Sequence, residues 1–184
     1  MKAPTLSFTL KFIDIMIGIV LGLGFQSWPS LHESWQFIAF IFVYVSIIDY
    51  WIDTAPTLKR YPPKRELDLL LDVAMMFTLF LYIYSTTQTI TYFFAAFLVF
   101  RGMDSFWLVR VLRQYRESSQ DRHVFMTWIT FNTIEMAVVV VILAIGEMWY
   151  IHPMLLVSAF IAIRLASRVL SSIRYRRGFS HENN

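Results

Sequence analysis

The sequence predicts an all-α polytopic membrane protein, with six transmembrane helices arranged as three helical hairpins and both termini in the cytoplasm. Six apolar runs, at about 10–27, 36–52, 67–84, 92–109, 124–146 and 154–171, each approach the roughly 20 residues a helix needs to cross about 30 Å of hydrocarbon. Apolar residues make up 57% of the 184 and aromatics 17%, which leaves too little polar side chain to cover a soluble domain. None of the 16 lysines and arginines lies in the connections 28–34, 85–91 and 147–153. All but Arg101, Arg164 and Arg168 flank the opposite ends of the runs.

The first run carries Asp14 near its start and Gly18-x-x-x-Gly22 beyond it, followed by Gly24. It is full spanning length with no small-residue cleavage pattern after it, so it reads as a retained helix and not a signal peptide. Gly18 and Gly22 stand one turn apart, a spacing that lets another membrane helix approach closely, and Asp14 shares their face. The second run ends on Asp49 and Asp53, and Pro56, Pro62 and Pro63 are expected to stop it within the polar stretch 54–66. Asp72 lies in the third run, Arg101 and Asp104 in the fourth, Glu135 in the fifth, Arg164 and Arg168 in the sixth. Residues 1–173 read as one six-helix domain and 174–184 as a short basic cytoplasmic tail. Trp28, Trp35, Trp149 and Tyr150 mark one interface, and Tyr50, Trp51, Trp107 and Trp128 the other, as belts of amphipathic rings should.

Charge orients the chain. Lys2, Lys11, Lys59, Arg60, Lys64, Arg65, Arg110, Arg113, Arg116, Arg122, Arg174, Arg176 and Arg177 all fall on one side of the expected membrane, which the positive-inside bias assigns to the cytoplasm. The expected location is therefore the cell (plasma) membrane, as a multi-pass integral protein. These flanks suit anionic lipid headgroups, at about 1 kcal/mol per basic residue. Nucleic-acid binding would need basic residues on a folded face, and none is evident.

An internal repeat maps Asp72 onto Glu135, Ala96-Phe97 onto Ala159-Phe160 and Arg101 onto Arg164. In each of the two hairpins, acid and arginine stand equally far from the middle of the outer connection, about 22 Å from the tip at 1.5 Å per residue. Each acid is placed to reach its arginine at equal depth, as a helix-pinning ion pair or as part of a transport path. In the first hairpin Asp14 and Asp49 share a depth, but both are acids. Asp14, Asp49, Asp53, Asp72, Asp104 and Glu135 together outnumber Arg101, Arg164 and Arg168 in the inner half. A monovalent cation would offset that excess, and so would snorkelling of Asp14, Asp49 and Asp53 to water.

The segment Phe12-x-Asp14-x-x-x-x-Ile19-x-Leu21 resembles the Phe-Ser-Asp signature that opens the first helix of the bacterial and lysosomal six-helix potassium channels, with Lys11 in place of a basic residue just upstream. Tyr50-Trp51-Ile52-Asp53 is similar to the Tyr-Trp-Val-Asn run ending that family's second helix, and Leu69-Leu70-Leu71-Asp72 to its leucine-rich third. The likeness covers about residues 8–85. Ile13 replaces the signature serine, Ile15 the following glycine, and Asp53-Thr54-Ala55 the family's Asn-His-His. The resemblance implies a homo-oligomeric cation channel with the first helix lining the pore and a bulky side chain such as Ile19 forming a hydrophobic constriction. Asp14 would belong to the polar network fixing that helix.

Other chemistry finds little support. Arg110, Arg113 and Arg116 recur at every third residue but begin where the apolar run ends, so a basic flank explains them better than a voltage sensor. There is no cysteine, and His32, His123, His152 and His181 form no metal-ligand spacing, so no metal or cofactor is expected. Gly22-x-Gly24 lies inside a spanning run and is no nucleotide loop. An enzyme is not expected. The sequence points first to a cation channel or leak pore, which the resemblance makes permeable to potassium, and second to a small secondary transporter with an intramembrane acid/arginine site. A membrane scaffold or partner protein without transport is the third reading.

Overall fold

The computed structural model describes residues 4–115 and 118–180, with side chains for 11–115 and 118–170. Lys2, Arg116, His181 and the side chains of Arg174, Arg176 and Arg177 lie outside the described residues. The described chain is helical throughout: α1 Pro4–Phe25, α2 Ser34–Arg60, α3 Glu66–Ser85, α4 Ile90–Gln114, α5 Ser119–Trp149 and α6 Pro153–Ser180, with a 3₁₀ turn at Trp28–Ser30 and no strand among the described residues. All six α-helices are long and apolar enough to cross a membrane.

Helix ends follow local chemistry. At the start of α2 the Gln36 side chain accepts from the backbone N–H groups of His32 at 2.8 Å and Glu33 at 3.0 Å, satisfying donors that the helix cannot. Asp68 Oδ2 does the same for Lys64 and Arg65 at 2.9 Å each, so the helix after Pro62-Pro63 starts on its own carboxylate cap. Ser118 Oγ accepts from the Asp121 N–H at 3.1 Å and opens α5.

One boundary differs from the sequence expectation. Pro56 does not stop α2, which continues through it to Arg60 and ends before Pro62-Pro63. A proline removes one N–H and crowds the carbonyl four residues back, here Ile52, where the sequence is turning polar. One residue after the proline, Thr57 Oγ1 donates to the Asp53 carbonyl at 3.2 Å, and Thr54 and Leu58 are buried on either side of it. Helix α5, at 31 residues and about 46 Å, exceeds an ordinary bilayer core, and its polar first turn Ser119–His123 is the part able to project.

The chain divides into two compact units, Met1–Phe100 and Arg101–Asn184, with the boundary inside α4. In the first unit α1 packs against both α2 and α3, and α2 packs against α3. Ile13, Ile17, Val20 and Gly24 form the buried stripe of α1, at the three- and four-residue spacing of one helix face. Tyr82 of α3, only 1% exposed, lies along Phe93, Phe97 and Phe100 of α4, with ring centroids 5.6, 6.0 and 5.9 Å away. Trp35 and Tyr50 of α2 reach Phe93 and Phe100, at 6.4 and 5.3 Å. In the second unit α5 and α6 pack side by side, and a Cβ on Gly146 would stand 2.8 Å from Leu156 Cδ1.

The tightest crossing of the first unit is at Gly24. A Cβ there would lie 2.7 Å from Ile83 Cδ1 and 2.9 Å from the Tyr44 hydroxyl, which itself donates to the Leu21 carbonyl at 2.7 Å. Gly24→Ala is expected to push Tyr44 off that carbonyl and to lower stability by about 1–3 kcal/mol, read as a lower midpoint of thermal unfolding in detergent. Tyr150 caps α5 in the left-handed region, φ 49°, its N–H bonding the Gly146 carbonyl. Tyr150 is 94% exposed, so its removal costs little packing within the chain, and in detergent, where no bilayer interface anchors the ring, Tyr150→Gly should raise the same midpoint, by about 1 kcal/mol in stability.

Candidate functional site

Two groups of polar residues stand out, one in each unit. In the first, α1 turns Asp14, Gly18, Ile19 and Gly22 away from the stripe that packs on α2 and α3, and all four are exposed. A Cβ on Gly18 or Gly22 would meet nothing within 4 Å, so no neighbour in the chain requires glycine at either position. Among the described residues, neither Asp14 nor Lys11 makes an ion pair or a side-chain hydrogen bond. Asp49 and Asp53 are half-buried on the last turns of α2, and Asp72 is buried on α3 at 4% exposure.

The second unit holds a charge network across α4, α5 and α6. Glu135, 3% exposed, is met by positive charge at both oxygens: Oε1 accepts from Arg164 Nη1 at 2.6 Å, and Oε2 stands 3.1 Å from Arg101 Nε as an ion pair without hydrogen-bond alignment. Arg101 also turns Nη1 towards Asp104 Oδ2, at 3.5 Å. The same Asp104 oxygen accepts from Asn132 Nδ2 at 2.7 Å, and Asn132 Nδ2 lies 3.2 Å from Ser105 Oγ. Two guanidiniums thus face two carboxylates, with the Asn132 amide at the Asp104 end of the chain. Such a set is compatible with a low-dielectric interior because each charge is met by an opposite charge or a donor. Arg168, half-buried, follows Arg164 by one turn of α6.

The repeat in the sequence assigns Arg101 to Asp72 and Arg164 to Glu135. Arg164 and Glu135 meet directly in the second unit, where Arg101 also lies against Glu135 and Asp104. Asp72 belongs to the first unit. Asn132 was missed by sequence reasoning, although it lies three residues before Glu135 and so on the same face of α5. Its lack of charge hid it. Gln36 was missed for the same reason: besides capping α2, its Nε2 donates to the Gln88 carbonyl at 3.4 Å, tying the start of α2 to the turn between α3 and α4.

The arrangement separates two kinds of chemistry. The network of the second unit is closed on itself by charge and suits a structural clamp or a site where ion pairs exchange. The exposed face of α1 has a carboxylate and open space but no partner among the described residues. Among the described residues, no three His, Cys, Asp or Glu side chains are grouped so as to hold a metal ion.

Glu135→Gln should lower stability by about 3–5 kcal/mol, since it leaves two buried guanidiniums facing an amide. Asn132→Ala should cost about 1–3 kcal/mol, the penalty for one lost buried hydrogen-bond partner. Denaturation of the purified protein in detergent measures both, and equal effects would contradict the ranking.

No protein family, no curated protein and no solved structure matches this chain.

Proposed function

We propose that this chain is an integral membrane cation channel or leak pore, permeable to potassium, assembled as a homo-oligomer around α1. In this reading the six helices form three hairpins, both termini are cytoplasmic and the protein resides in the cell membrane. The observation that carries it is the outward face of α1, where Asp14 is exposed without a partner among the described residues and Gly18 and Gly22 leave open space. A carboxylate within a spanning helix costs about 2.5–3.5 kcal/mol near the middle of hydrocarbon, and contact with water or another chain removes much of that cost. Ile19, 45% exposed on the same helix, supplies a side chain large enough to close a narrow pore by dewetting. Asp49 and Asp53 would raise the local concentration of cations at the inner mouth.

A second reading, a small secondary transporter, is favoured by the Arg101–Glu135–Arg164 network, whose pairs could exchange partners as helices move. Cation efflux from liposomes separates the two. A channel gives potassium or sodium flux that needs no counter-substrate and excludes chloride. Ile19→Ala should raise that flux several-fold, and Asp49→Asn with Asp53→Asn should lower it by roughly tenfold. Silence towards all three ions from folded, inserted protein would move the assignment to the transporter or to a membrane scaffold.

A further inference from the structure

The face of α1 that is turned away from its own unit has a charge pattern as well as open space. Taking about 100° per residue, Gly18, Gly22 and Lys11 lie within about 40° of one another around the helix, with Asp14 about 60° from Lys11 at one edge. The buried stripe Ile13, Ile17, Val20 and Gly24 covers the other side. Lys11 and Asp14 are both exposed, and neither finds an opposite charge among the described residues. They are separated by only about 4.5 Å of helix rise. Copies inserted with the same topology therefore carry the lysine and the acid at nearly the same depth.

We propose that α1 is the contact between copies, with Lys11 of one copy paired to Asp14 of the next while Gly18 and Gly22 let the two helices approach closely. This rests on the homo-oligomeric reading above and adds the surface and the pairing that assemble it. Charge complementarity selects a second copy as the occupant. One strip carries both signs at matched depth, so a parallel neighbour presents the opposite charge to each, whereas lipid tails present none. The glycines add proximity, since a backbone can enter where a Cβ has nothing to meet. Pairing takes both charges out of hydrocarbon contact at once.

The test uses full-length protein in lipid bilayers, with subunit number read by single-molecule photobleaching and kept separate from ion flux. Lys11→Glu alone places two acids at the contact, and Asp14→Lys alone places two bases. Each should weaken association by at least roughly tenfold. Mixing the two variants should restore assembly in trans, because each copy then meets the opposite charge on its neighbour. A purely intrahelical role for Lys11 and Asp14 cannot produce that rescue. Gly22→Leu provides a second route: its side chain meets nothing in its own chain, so the fold should persist while assembly is lost. As the chain has no native cysteine, Gly22→Cys gives a single cross-linking position, expected to yield linked dimers, whereas Val141→Cys on the exposed face of α5 should not.

Oligomers that ignore both reversals and Gly22→Leu would overturn this interface and leave the oligomeric reading standing. Loss of assembly without rescue in trans would also overturn the pairing. Wild-type protein that bleaches in one step would overturn the interface and the oligomer together.

Discussion

A carboxylate taken out of water must meet fixed positive charge or hydrogen-bond donors, and Glu135 meets that requirement with both oxygens. Arg164 of α6 holds one oxygen and Arg101 of α4 approaches the other, so a single side chain of α5 fixes the relation of three helices in the second unit. Membrane helices gain little from burying apolar surface against one another, because lipid tails are equally apolar. Polar contacts therefore carry more of the burden of specifying which helices meet and in what register. Asn132 and Asp104 extend that specification by one turn, and Gly146 lets α6 come close enough for the arginine to arrive.

The first unit specifies its contacts differently. Aromatic rings provide the register: Tyr82 spans nearly two turns of α4 through Phe93, Phe97 and Phe100, and Trp35 and Tyr50 bring α2 to the ends of the same row. Rings offer large contact area with few rotatable bonds, so their positions translate into helix positions with little slack. Along α4 the aromatic row runs up to Phe100 and the charge network starts at Arg101, one in each unit.

Much of the fold was legible because hydrocarbon thickness and helical rise are fixed lengths. Apolar runs of the right size had to become helices, and the start of α3 near residue 67 and of α6 near 154 could be read directly. Helix ends were less legible, since α2 runs through Pro56 with Thr54 and Leu58 buried on either side of it, and the sequence does not display that packing. The acid/arginine arithmetic depended on depth alone. Depth matches Glu135 with Arg164, but it cannot reveal that Arg101 also lies against Glu135 and Asp104, because rotation about the helix axis decides which neighbours a side chain faces. Neutral amides such as Asn132 and Gln36 carry no sequence signature of burial. The outward glycines of α1 were visible as a motif, but only coordinates show which side of the helix the chain leaves uncovered.

The hydroxyl of Tyr44 on the Leu21 carbonyl, beside the tight crossing at Gly24, has a mechanical consequence. It fixes the height of α1 against α2, because the hydroxyl reaches one carbonyl only. Sliding α1 by a single residue would shift the Leu21 carbonyl by about 1.5 Å, and turning the helix by a single residue would swing it by about 100°. The bond therefore pins α1 against both sliding and rotation, and with the buried stripe from Ile13 to Gly24 it decides which face of the helix is left outward.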